Sequence, residues 1–445
     1  MHTEKLPPDF DAIAELQLAQ AELKHVIDQT RQLPGYEDFF ESSTLEQIQY
    51  ILAAQNQVGV YLIAVQCGGL ALIVHAEGVR EVWLEFTEDE LNDWLLNQTS
   101  ESNTGGYLLA QLGDASLESS LDELLPIIGE RIMLPIVTAL RELKVSAITL
   151  IPTGRIALLP LHAARYTLAG SECALIDEFI VTYTPSARAL RHGQAALIEL
   201  LQKPLTLLAV SNPLPLPEAM YPLAFAQFEV EEITLLFGER GTALHDIQAT
   251  RSAVEQQFST ATYLHFACHG SFDVEVPLES GILLSNNERL AVKDLISGQR
   301  LKNTRLAVLS ACQTAITDFN KLPEEAVGLP SGFLQAGVPG VVGTLWSVND
   351  LSTALLMIQF YNYHLKDALA PAQALRQAQL WLRNVTNAEL SEFFDVYRQN
   401  AAHQSGSRMM YEIAQAKFRN FTLRGPVECP FAHPYYWAAF TMSGV

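Results

Sequence analysis

Two short apolar runs in this chain each stop on a residue with chemistry of its own. Tyr263-Leu264-His265-Phe266-Ala267-Cys268 runs into His269-Gly270, and Leu306-Ala307-Val308-Leu309-Ser310-Ala311 runs into Cys312-Gln313-Thr314-Ala315. Both read as buried strands. In an open parallel sheet, ligands and reactive groups collect beyond the carboxyl ends of the strands. His269 and Cys312, 43 residues apart, therefore belong on one rim, and neighbouring strands would set them across one cleft.

Strands alternating with helices surround the two runs. Residues 59–65 and 69–75 read as a strand pair and 80–85 as a third strand, with helical patterns at 88–97 and 117–143 and a strand at Ala147 to Ile151. A second α/β run begins near Pro204. It holds the strand Leu205 to Val210, helical spacing from Phe228 to Phe237 that stops at Gly238, and Thr250 as an N-cap. A hairpin around 277–292, a glycine-interrupted strand at Gly337 to Leu345, and helices at Asp350 to Tyr361 and Pro371 to Leu382 follow. The polar stretch 384–425 reads as an insertion with its own helix, and His433 to Phe440 as an aromatic, strand-like end. The fold class is α/β, a mostly parallel sheet with helices on both faces.

At 445 residues the chain exceeds one ordinary core. The expected division is an N-terminal helical segment over 1–44, one α/β lobe over 45–200 and a second over 201–445. The formal net charge of −22 argues against a nucleic-acid backbone or an anionic membrane as the main partner. No apolar stretch is long enough to span a bilayer, since Tyr61 to Ala76 breaks at Gln66 and at Gly68-Gly69, as a hairpin turn does. The five cysteines (Cys67, Cys173, Cys268, Cys312 and Cys429) form no CxxC pair, and the start has no signal-peptide pattern. Both observations point to a reducing cytoplasm.

A thiol is mostly protonated at neutral pH, and its thiolate is the nucleophile. A nearby imidazole takes that proton and later delivers one to a leaving amine. Cys312 is therefore the candidate nucleophile and His269 the candidate general base and acid. Gly270 has no Cβ to obstruct its N–H, which makes it one oxyanion donor; the N–H of Cys312 is the other. A backbone carbonyl can orient His269 as well as an acid can. The order His before Cys is caspase-like, whereas papain-like proteases reverse it. Cys268 alternates with Leu264 and Phe266 and belongs to the core, and His265 gives structural support. His162 has no matching Cys strand and reads as structural. Cys429 and His433 lack a second ligand pair, so neither a metal nor a cofactor is expected.

With these residues in place, the sequence resembles the CHAT-domain family, which is related to caspases and separase. The matching segments are Ser211-Asn212-Pro213, Leu264 to Gly270, Pro277 to Gly281 and Leu309 to Ala315. Beyond them come Val327 to Pro330, Gly332 to Gly337, Gly343 to Trp346 and the His433-to-Phe440 run, with Ile151 to Arg155 and Leu159-Pro160-Leu161 upstream. The resemblance implies a cysteine endopeptidase with a His269–Cys312 dyad acting on a protein substrate. It also implies a degenerate caspase-like lobe over 45–200 ahead of an active one over 201–445. Family members often sit beside helical repeats or sensors in bacterial regulation and defence. No 34-residue repeat is visible here, so a partner or sensor, such as a TPR module, is expected to activate the chain. Two alternatives are a catalytically silent CHAT scaffold for protein interaction and a thiol-dependent acyl transferase using the same dyad.

In caspase-like enzymes the residue two before the nucleophile lines the pocket for the residue preceding the cut; here it is Ser310. Trp346-Ser347-Val348-Asn349-Asp350 resembles the edge strand that pairs with an extended substrate. Asp350 either selects a basic residue or caps the following helix. Asp273 either reaches the pocket or serves a turn. The loop from Ile316 to Ala326 is short, so rearrangement by a partner is expected, without self-cleavage.

Overall fold

The computed structural model describes residues 12–33, 43–96, 106–111, 116–217, 220–271, 273, 276–297, 301–310, 328–403 and 408–445. Its Cα packing separates Met1–Gln47 from Ile48–Val445. In the first unit the helix Ala12–Thr30 falls within the helical segment expected over 1–44.

The second unit is organised on one eleven-stranded sheet. Its strands are β1 (Val58–Val65), β2 (Gly68–His75), β3 (Gly78–Leu84), β4 (Ala147–Pro152), β5 (Ile180–Tyr183) and β6 (Leu207–Ser211). The rest are β7 (Gly241–His245), β8 (Tyr263–Ala267), β9 (Leu306–Leu309), β10 (Gly340–Thr344) and β11 (Phe440–Gly444). Their spatial order is β3-β2-β1-β4-β5-β11-β10-β9-β8-β6-β7. The meander β1–β3 is antiparallel, and β11 runs antiparallel to β10. All other neighbours are parallel.

Strand alternation feeds two cores. On one face lie Leu207, Ala209, Tyr263, Leu306 and Val308, packed with the helices Ala226–Phe237 and Asp350–Tyr361. On the other lie Leu208, Val210, Leu264, Phe266, Ala307 and Leu309, packed with Val254, Leu295 and Phe333 from three further helices. Continuous apolar runs are what strands buried on both faces require, which is why the central strands read so plainly. Thr250 caps its helix, its side chain accepting from the Ala253 N–H at 3.2 Å.

Local chemistry shifts several boundaries. The first hairpin turns at Gln66-Cys67, and Gly68 and Gly69 already belong to β2. A Cβ on Gly69 would lie 2.4 Å from the Phe86 ring, so the glycine makes room for that side chain. The 117–143 helix is three joined pieces, with a π-helical segment at Gly129–Met133. The insertion at 384–425 holds two helices, Asn387–His403 and Arg408–Thr422. The aromatic end is not a strand at its start. His433 caps a short helix, Pro434–Trp437, with Pro434 fixing its first turn, and the strand begins only at Phe440.

A Cβ on Gly129 would sit 1.6 Å from the Arg165 carbonyl oxygen. Gly129→Ala must therefore push two backbone segments apart, and we expect a loss of about 3 kcal/mol or more. Thermal unfolding checks this; an unchanged Tm would contradict the close approach.

Candidate active site

Three parallel strands end together beside His269. In β8, Phe266 is paired with Leu309 of β9, and Ala267 with Ser211 of β6. Past the strand, Cys268 is fully buried in the second core, as its alternation predicts. His269 follows and is partly exposed. Its Nε2 lies 2.9 Å from the Tyr221 carbonyl oxygen. A carbonyl only accepts, so Nε2 carries the proton and Nδ1 keeps the lone pair.

The carbonyl that fixes this tautomer is itself held in place. Asn212 donates its N–H to the Ala267 carbonyl at 3.0 Å, tying the end of β6 to the end of β8. Its side-chain Oδ1 accepts from the Leu223 N–H at 3.0 Å, two residues from Tyr221. The backbone at Asn212 has φ +48°, a conformation asparagine tolerates better than most residues. On the other side, the His269 carbonyl accepts from the Leu283 N–H, and Gly270 pairs with Ile282 in a small antiparallel sheet.

Cys312 lies outside the described residues, as does the 316–326 loop. Cys312 follows Leu309 by three residues, as His269 follows Phe266, and those two anchors are in register.

Ser310 directly follows β9, on the face shared with His265, and is 4% exposed. Among the described residues its hydroxyl has no hydrogen-bond partner. It opens into a cavity of about 20 Å³, room for about one water-sized group. Leu223, Ala226 and Val348 give the cavity apolar walls, and Glu229, Asp350 and Thr353 give it polar ones. Thr353, also 4% exposed, likewise leaves its hydroxyl without a partner among the described residues.

The two carboxylates are held differently. Glu229 is 1% exposed and lies 2.9 Å from His265 Nε2, whose Nδ1 is 3.4 Å from the Tyr361 hydroxyl. This is how His265 supports the site. Asp350 accepts the Phe225 N–H at 2.8 Å. Burial pushes its carboxyl up to about 6; the Phe225 N–H opposes the rise, the charge of Glu229 adds to it, and the Ala224 N–H and Lys417 oppose it. Asp350 does not cap its helix. Asn349 does, its Oδ1 accepting from the Ser352 N–H at 3.1 Å, which leaves the Asp350 carboxylate free to turn into the protein.

Several expected groove residues lie elsewhere. Trp346 is fully buried, donates its indole N–H to the Tyr435 carbonyl at 3.0 Å and meets Tyr107 edge-on. Its side chain is core and cannot line a groove. Ser347, Val348 and Asn349 lie outside the sheet; Ser347 and Asn349 are exposed. Asp273 turns its carboxylate to the Val276 N–H at 2.8 Å, and its own N–H donates to Ser280 Oγ. It therefore serves a turn and does not line the cavity.

Glu229 and Thr353 were missed by sequence reasoning, although Glu229 left a signal. It shares a helix face with Ala226, Val230, Ile233 and Phe237, all buried, and a carboxylate on an apolar face needs a partner.

The remaining candidates are structural. His162 is enclosed between the Tyr183 hydroxyl (3.0 Å) and the Ala438 carbonyl (2.9 Å). The Cys429 thiol is directed to the Asn384 carbonyl, and His433 Nδ1 accepts from the Tyr435 N–H. Among the described residues no cluster of three or more His, Cys, Asp or Glu is arranged to hold a metal. None of the described helices is long and apolar enough to cross a membrane.

The CHAT domain model matches residues 120–445. No curated protein matches the chain. Solved structures with a similar course include two of the Saccharomyces cerevisiae separase–securin complex. One has a TM-score of 0.46 at 11% identity, covering 94% of this chain and 32% of that one; the other has 0.44 at 10%, covering 99% and 34%. The Arg-specific cysteine proteinase gingipain R has a TM-score of 0.36 at 8% identity, covering 67% of this chain and 63% of that one. This chain thus spans less than two thirds of each of those proteins.

Burial holds His162 down at about 4, against a modest opposing effect of the Ala438 carbonyl. A histidine kept neutral in the fold stabilises it above its unfolded value near 6.5, and that stability is lost as pH falls toward 4. The difference in unfolding free energy between wild type and His162→Gln, from denaturant titration, should shrink over that window by up to about 3 kcal/mol. A pH-independent difference would contradict the buried neutral imidazole.

Proposed function

Because this chain belongs to the CHAT-domain family, we propose that it is a cysteine endopeptidase that cuts a protein substrate, with His269 and Cys312 as its dyad. The observation that carries this reading is the shared register: each residue stands three positions beyond a member of the paired couple Phe266–Leu309. Adjacent strands are about 4.8 Å apart, which is the scale on which an imidazole and a thiol exchange a proton.

The chemistry follows from the tautomer. With Nε2–H on the Tyr221 carbonyl, Nδ1 takes the proton from Cys312 Sγ, and the thiolate attacks the scissile carbonyl. The oxyanion is received by the N–H groups of Gly270 and Cys312. The imidazolium then gives its Nδ1 proton to the leaving amine as the C–N bond breaks, leaving a thioester on Cys312. Water attacks the thioester, Nδ1 takes its proton, and the thiol is restored. The segment Ser347 to Asn349, outside the sheet and exposed at Ser347 and Asn349, is the one available to pair with an extended substrate. We further propose that a partner or sensor rearranges the 316–326 loop in the cytoplasm to start this cycle.

A lysate treated with the wild type should gain protein N-termini that are absent with Cys312→Ala and with His269→Ala. Identical termini in all three digests, each protein being folded, would replace the peptidase reading with that of a scaffold. On a cut substrate, Asn212→Ala should lower kcat about tenfold or more and leave KM nearly unchanged, because it loosens the carbonyl that orients the base. A change confined to KM would contradict that positioning role.

A further inference from the structure

The antiparallel meander β1–β3 forms one end of the large sheet, and its two faces have different surroundings. Leu62, Ala71, Ile73, Val82 and Leu84 turn to the main core. The residues between them turn the other way. An antiparallel sheet with one face in water carries polar residues on that face. This one carries Ile63, Leu70, Leu72 and Trp83. The pairing sets Ile63, Leu70 and Trp83 side by side in one row, and Tyr61, Leu72 and Glu81 in the next. Trp83 is 70% exposed, and Val65 and Val79 are exposed beside it. A contiguous apolar patch of this kind marks an interaction surface.

The space left on the patch suits a helix. Ile51 and Leu52 of the helix Leu45–Ala54 pack on this face at Val74. The cluster they form takes in Tyr61 but none of Ile63, Leu70, Leu72 and Trp83. Val74 and Leu70 are four residues apart along β2, which is about 13 Å of strand. Packed helices lie about 8–10 Å apart, so one further helix fits beside the first.

Charge says which kind of helix. From Val58 to Glu85 the chain has three carboxylates and one cation. Glu81 stands on this face, and Glu77 and Glu85 are exposed at the two ends of β3. The cation, Arg80, lies opposite Ile73 on the core face and binds Glu142 at 2.6 Å. A second copy of the chain would bring the same carboxylates and a net charge of −22, so like charges oppose self-association here. We propose that this face docks a basic amphipathic helix of another protein, its apolar stripe on Ile63, Leu70, Leu72 and Trp83 and its lysines or arginines against Glu77, Glu81 and Glu85. Trp83 is the anchor, as large exposed aromatics are at protein interfaces. The docking is independent of the peptidase reading and uses none of its residues.

The test titrates the full chain into three fluorescein-labelled peptides of 18 residues, followed by anisotropy at about 0.15 M salt. The first has leucines on one helical face and lysines on the other; the second replaces each lysine with glutamate; the third replaces each leucine with serine. The first should bind with a dissociation constant of about 1–50 μM, and the other two at least tenfold more weakly. Trp83→Ala and Glu81→Lys should each weaken the first peptide tenfold or more. Both side chains are exposed, so both variants should keep the wild-type Tm. Glu239→Lys makes the same charge change at an exposed position in the other lobe and should leave binding unaltered. Equal binding of the serine or glutamate peptide, no effect of Trp83→Ala, or equal weakening by Glu239→Lys would each overturn the proposal. A dimer in sedimentation that Trp83→Ala dissolves would overturn it too, by giving the face to a second copy.

Discussion

The candidate site depends on the parallel pairing of β8 with β9. Both strands are apolar on both faces, so hydrophobicity alone would tolerate a slip by one residue, and such a slip turns every side chain over. The polar groups remove that freedom. Glu229 is buried against His265, and a strand shifted by one position would leave that carboxylate with no partner inside the core. Stranding a buried charge costs several kcal/mol, far more than a repacked Leu. The Glu229–His265 hydrogen bond thus fixes which face β8 turns to the helix Ala226–Phe237.

The same face explains where the structure is finished and where it is left open. Glu229, His265 and Tyr361 satisfy one another within the core. On the same side of the sheet, Ser310 and Thr353 have hydroxyls without a hydrogen-bond partner among the described residues, and burial disfavours the charge on Asp350. Folded proteins rarely leave buried polar atoms unpaired, and functional sites are where they do so. His269 is the contrasting case, held through Nε2 by the Tyr221 carbonyl.

What the sequence showed plainly was whatever depends on neighbours along the chain. The runs into His269 and Ser310, the buried Cys268 and the cap at Thr250 are local patterns, and the structure has them where the patterns put them. What it hid depends on neighbours in space. Trp346 looks like a groove residue from its surroundings, yet Tyr435 and Tyr107 draw it into the core. Asn349 and Asp350 are adjacent and both suited to a cap; only the turn of the Asp350 carboxylate to Phe225 separates their roles. The Asn212–Leu223 bond that steadies the base spans a proline-rich loop with no periodicity to read. Glu229 alone was legible and overlooked, as a charge on an apolar helix face.

The central claim is that two strand ends make one acid–base couple, and it is tested without a substrate. The rate of Cys312 alkylation by iodoacetamide, followed by mass spectrometry across pH 5 to 10, reports the thiolate directly. In the wild type we expect reaction well below the ordinary thiol value of about 8.5, with that advantage lost in His269→Ala. A Cys312 that titrates like a free thiol in both proteins would contradict the account.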